Sequence, residues 1–124
     1  MKHVKLFEQF LLETIKFNLK STGRDDWDSD LKKHSKDFSQ EIVYMSPDEF
    51  LKRVRFDRFT VDSNKVDSYI ESLKNSSNVP TPTMWFQDQY QYDKGLSPSW
   101  HDGSHRVLAL KELGIKKIPV KIVI

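Results

Sequence analysis

Apolar residues along this chain recur at two different spacings. Over residues 4–20, Val4, Phe7, Phe10, Leu11, Ile15 and Leu19 return every three or four positions, which predicts an amphipathic helix halted by Ser21-Thr22-Gly23. Residues 24–40 are highly charged with few apolar anchors and read as a linker or a short solvated helix. "EIVYMS" (41–46) predicts a short strand. Ser46-Pro47-Asp48-Glu49 then has the form of a helix start, with Ser46 as N-cap, Pro47 at the first helical position and Glu49 where a capping box places its acid. A further helix over 63–75 puts Val66, Tyr69, Ile70 and Leu73 on one side. "TMWFQD" (83–88) predicts a strand, 89–99 a turn or hairpin loop, and a second short strand follows near Trp100.

The last stretch, "WHDGSHRVLALKELGIKKIPVKIVI" (100–124), carries the strongest pattern. Val107, Leu110 and Leu113 are three apart, and Gly114 stands where a helix C′ residue belongs. Ile118, Val120, Ile122 and Ile124 alternate with other residues, as in a half-buried strand. The elements describe an α/β chain of the α+β kind: a small mixed sheet with flanking helices over 41–124, and an N-terminal helix and charged linker over 1–40.

A chain of 124 residues suits one domain with a modest core. No apolar run is long enough to cross a bilayer, and Glu8 and Glu13 interrupt the start in a way a secretory signal does not. The expectation is a cytoplasmic protein of a bacterial or phage-infected cell, a monomer or homodimer with no membrane partner. The chain has no cysteine, which excludes disulfides, thiolate nucleophiles and cysteine-bound zinc. A net charge of +2 permits contact with phosphates without marking a nucleic-acid binder.

Chemistry concentrates in His101-Asp102-Gly103-Ser104-His105-Arg106, at a strand-to-helix turn. Free backbone N–H groups and the helix dipole make such a turn an anion site. Gly103 gives an anion access to the backbone, Ser104 caps and donates, and Arg106 offers a planar fork of donors. His101 and His105 exchange protons near neutral pH. Asp102 repels a bare anion, so its roles are to orient a neighbour or to hold Mg²⁺ beside a bound phosphate. Asp-Gly is also an ordinary turn dipeptide, and Ser104 alone accounts for a helix start, so the residues fit both a phosphate site and a plain turn.

"DGSHRVLALKELGIKKIPVKIVI" resembles the signature end of the ParB/sulfiredoxin-like superfamily, with Asp102, Gly103, His105, Arg106, Leu113, Gly114, Ile118, Pro119 and Val120 in register. The resemblance covers roughly 41–124. It implies a small α/β fold whose turn binds nucleotide phosphates through Gly103, Ser104, His105 and Arg106. It further implies Mg²⁺ with ATP or CTP as cofactor, and hydrolysis or phosphoryl transfer as the reaction. His101, Asp102 and Glu49 are then the candidate catalytic residues and Asp102 the metal ligand. Ser104 stands where the sulfiredoxin branch has cysteine and the chromosome-partitioning branch has glutamate. Sulfinic-acid reduction is thereby excluded, and the stand-alone branch that includes free serine kinases and small phage proteins is the nearest in pattern. The alternative is a non-catalytic module that binds DNA or a protein partner.

Other features have simpler readings. Asp48 and Glu49 suit helix capping. Arg53, Arg55 and Arg58 interleave with Phe56 and Phe59, as in a grip on single-stranded nucleic acid or a solvated loop over core phenylalanines. Trp85, Phe86, Tyr90 and Tyr92 suit base stacking or packing. The histidines show no metal-ligand spacing.

Overall fold

A computed structural model describes residues 15–57, 60–74 and 78–124. Most of the helix expected over 4–20 lies outside them; its described end is not helical, since Phe17–Asn18 forms a strand, β1. It pairs in parallel with β3, Val79–Pro80. Ile15, just before β1, is buried in the main core. The charged segment that follows contains helix α1, Asp25–Lys33, which buries Trp27 and Leu31.

The main sheet has four strands in the order β2-β6-β4-β5: β2 is Gln40–Met45, β4 Thr83–Trp85, β5 Trp100–Asp102 and β6 Ile118–Val123. The β6 strand runs antiparallel to β2 and parallel to β4, and β5 returns antiparallel to β4. The alternation in β6 suggests one buried face; the structure instead buries every residue from Ile118 to Val123. The second face is covered by the preceding segment, where Lys121 lies beside Leu19, Asp28 and Leu31 and is only 6% exposed. Burial pulls the Lys121 pKa down, and the Asp28 carboxylate opposes that shift.

Helices α2 (Pro47–Arg53) and α3 (Ser63–Leu73) each pack against α5 (Ser104–Glu112). Phe50, Val66, Leu73, Val107, Ala109 and Leu110 meet Met84, Ile118, Val120 and Ile122 there in one apolar core. The α2 start follows its sequence: the Ser46 hydroxyl accepts from the Glu49 N–H at 3.1 Å, with Pro47 in the first turn. The segment expected as a turn or hairpin loop holds a short helix, α4, Gln89–Asp93, capped by Asp88. Its apolar contact is Tyr92 on Phe86, and Arg53 lies over both rings, at 5.0 Å from Phe86 and 5.3 Å from Tyr92. Arg53 also donates to the carbonyls of Leu96 and Tyr92. It is therefore tied into the fold; Arg58 and Phe59 lie outside the described residues. Mixed helix and sheet, five helices and two sheets among the described residues, place the protein in the α+β class. Among the described residues no helix is long and apolar enough to cross a membrane.

Candidate functional site at the head of helix α5

The β5–α5 turn does what its glycine requires. Gly103 has φ +103° and is itself the N-cap of α5, with no side-chain cap bond. Ser104, expected to cap, is the first residue of the helix and is buried at 7%; its hydroxyl finds no hydrogen-bond partner among the described residues. A cleft of about 400 Å³ opens over this turn. Six of the candidate site residues line it: His101, Asp102, Gly103, Ser104, His105 and Arg106.

Arg106 departs furthest from expectation. Its place in the motif suggests an exposed phosphate fork; it is 6% exposed. One Nη lies 3.5 Å from the Thr22 carbonyl, at the limit of a hydrogen bond, and Nε has no partner among the described residues. The guanidinium lies under two glycines. A Cβ on Gly23 would stand 3.2 Å from one Nη, and a Cβ on Gly103 only 2.8 Å from the other. The bare face of Gly103 is thus filled by Arg106 and Pro82, not left open for a ligand. Burial lowers the Arg106 pKa, with Asp102 and Tyr69 acting in the opposite direction.

The two histidines differ. His105 is half-buried, its edge against Phe56 at 5.3 Å between ring centres. Its Nε2 accepts a hydrogen bond from the Asp62 N–H at 3.2 Å. His101 is exposed, and partial burial lowers its pKa while neighbouring Asp102 raises it. The neutral imidazole is favoured.

Glu49 is not part of this cleft. It sits at the start of α2, in a separate hollow with Lys52, Arg53, Arg55 and Leu96, and its N–H is already held by Ser46. Its assignment as a catalytic partner of the turn therefore lacks the geometry it needs. Asp48 also faces away, paired with Lys111 at 2.8 Å. In exchange, the fold brings in Arg24, Lys65, Tyr69 and Gly23. Lys65 and Tyr69 are one turn apart on α3, a spacing visible in the sequence; nothing local there marks Arg24 as a neighbour of residue 102. Arg24 ion-pairs with Asp26 at 2.9 Å and stacks over Trp27 at 4.6 Å. Both groups are exposed; the Asp26 pairing raises the Arg24 pKa, and Asp102 adds to it.

Compared with family models, with curated proteins and with solved structures, the chain matches none. What can be said of the site rests on its own residues. Arg24, Lys65 and Arg106 outnumber Asp102 around the cleft, and the α5 N-terminus adds its dipole. Such a set attracts an anion. Among the described residues no three His, Asp or Glu side chains group to hold a metal. Magnesium needs only one or two carboxylates when phosphates supply further oxygens, so Asp102 fits it as a companion of a bound phosphate.

Proposed function

We propose that the cleft at the head of α5 binds the phosphates of a nucleoside triphosphate, ATP or CTP, with Mg²⁺, and supports its hydrolysis or phosphoryl transfer. The observation that carries this reading is a pair of buried groups on two residues that line the cleft, Arg106 Nε and the Ser104 hydroxyl, neither with a partner among the described residues. Buried polar groups normally find partners, and donors left over at a helix N-terminus suit an anion. Arg24 and Lys65 neutralise the outer phosphates. Mg²⁺ would sit at Asp102 and spread the charge of the transferring group. His101, exposed and favoured neutral, is the base that takes a proton from the attacking oxygen.

The test is calorimetric titration with ATP, CTP and pyrophosphate, with and without Mg²⁺, followed by an assay for released phosphate. Ligand at 100 times its Kd raises stability by about 2.7 kcal/mol, readable as a shift in Tm. No binding of any of the three anions at millimolar concentration overturns the reading. A second reading has its own observation: exposed Arg24 and Lys65 flank Phe56 and Tyr69 in the same cleft. Basic and aromatic groups together also grip a nucleic-acid backbone. Binding to DNA whose affinity falls steeply with log salt, with no nucleotide turnover, selects that non-catalytic module.

A further inference from the structure

The three tryptophans of this chain are far apart in sequence and converge in space. Trp27 of α1, Trp85 of β4 and Trp100 of β5 line one cleft of about 280 Å³ with Phe38 and Asp30. Trp85 and Trp100 are directly opposed across the β4–β5 pair. Neither Trp27 nor Phe38 stacks on Trp85. Trp27 meets Trp85 edge-to-face at 5.8 Å and 74°, and Phe38 meets it at 5.0 Å and 80°. The result is four aromatic side chains around one cleft, two of them nearly perpendicular to Trp85, with one carboxylate among them.

Two features select the class of ligand. Trp27 and Phe38 stand nearly at right angles to Trp85 and so form no sandwich with it for a flat base, while electron-rich rings gathered round one cleft attract a compact cation. The Asp30 carboxylate adds formal charge of the same sign and has no ion-pair partner among the described residues. The protein already uses one of these rings in this way: Arg24 lies over Trp27 from the neighbouring cleft, which it lines, and not from this one. Trp100 meanwhile keeps 62% of its surface exposed, a large apolar area left in water.

We infer that Trp27, Phe38, Trp85 and Trp100 form an aromatic box that binds a quaternary ammonium head group, with Asp30 as its counter-charge. This inference is independent of the phosphate cleft. Full methylation suits the box because N-methyl groups carry the positive charge outward without demanding hydrogen-bond acceptors, which aromatic walls lack.

Because every tryptophan lines the site, intrinsic fluorescence reports on it directly. The probes are choline and its uncharged isostere 3,3-dimethylbutan-1-ol. Choline quenches or shifts the emission saturably, and the isostere binds at least tenfold more weakly. Trp100→Ala, at an exposed position that leaves the Tm nearly unchanged, weakens choline at least tenfold when followed by its N-methyl NMR signal. Asp30→Asn weakens it several-fold, and Arg106→Met leaves it unaltered. Equal binding of choline and the isostere would show a merely apolar cleft and overturns the inference. So does choline affinity untouched by Trp100→Ala, and so does quenching by adenosine without quenching by choline.

Discussion

Two helices in this protein each have a serine at their start and use it differently. Helix α2 starts at Ser46-Pro47-Asp48-Glu49 and closes its own end: the Ser46 hydroxyl takes the Glu49 N–H, and the acids lie in the first turn. Helix α5 starts at Gly103-Ser104-His105-Arg106, with a left-handed glycine as cap, no capping side chain and a serine hydroxyl left without a partner. The first arrangement satisfies the helix from within. The second leaves donors at the positive end of a dipole, beside a buried guanidinium, and that difference marks α5 as the end built for something else.

The sharpest way to break this contrast is at Gly103. An added Cβ meets Arg106 at 2.8 Å and the Pro82 backbone at 3.3 Å, in a conformation side chains rarely adopt. Gly103→Ala should cost about 2–3 kcal/mol in denaturant unfolding. A cost under about 0.5 kcal/mol would show that the turn relaxes freely. Next in size is Arg106→Met, which fills the same space without charge. Stability should stay within about 1 kcal/mol of the parent, because a buried charge with imperfect partners contributes little net. Affinity for pyrophosphate should nevertheless fall tenfold or more, about 1.4 kcal/mol. Equal loss of both would make Arg106 scaffold alone.

The serines give the direct comparison. Ser46→Ala should cost about 1 kcal/mol, the usual worth of a cap. Ser104→Ala should be neutral or slightly stabilising, since the hydroxyl it removes has no partner to lose. Matching losses at the two serines would erase the distinction between the helix ends. The smallest effect concerns pH. His101 is held below its usual value of 6.5 in the folded state, so the unfolded chain binds the proton more readily. Stability is therefore lost as pH falls through and below about 6.5 and is unaffected well above it. Replacing His101 with Gln should flatten that part of a Tm-against-pH curve; a steeper curve would reverse the sign.

What could be read from the sequence followed from how local the cause was. The Ser46 cap, the Gly114 stop and the α3 face of Val66, Tyr69, Ile70 and Leu73 depend on neighbours within a turn or two, and all were legible. Helix α4 was not, because its five residues are too few and too polar to show a period; Asp88 and Tyr92 hold it. The two-sided burial of β6 depends on residues such as Leu19 and Leu31, far away in the chain, lying beside Lys121, and strand alternation is blind to that. At the site, the motif residues were found but their environment was not. Arg106 is buried by Gly23 and Thr22, more than 80 residues earlier in the chain. The tryptophan box has no local signature, since its walls come from α1, β4, β5 and Phe38 between α1 and β2.

The position of β6 also sets an order of events. Its partners, β2 and β4, are never neighbours of each other, and β2 has no other strand to pair with in the main sheet. A chain made from its N-terminus can join β4 to β5 early, across a short stretch of sequence. It must hold β2 as an open edge until residues 118–123 arrive to fill the gap between them. Closing so long a loop is slow, and an unpaired edge invites the wrong partner while it waits. Even with β6 in place, β2 stays the outer strand of the sheet, and the exposed charge of Glu41 is of the kind that discourages pairing along such an edge.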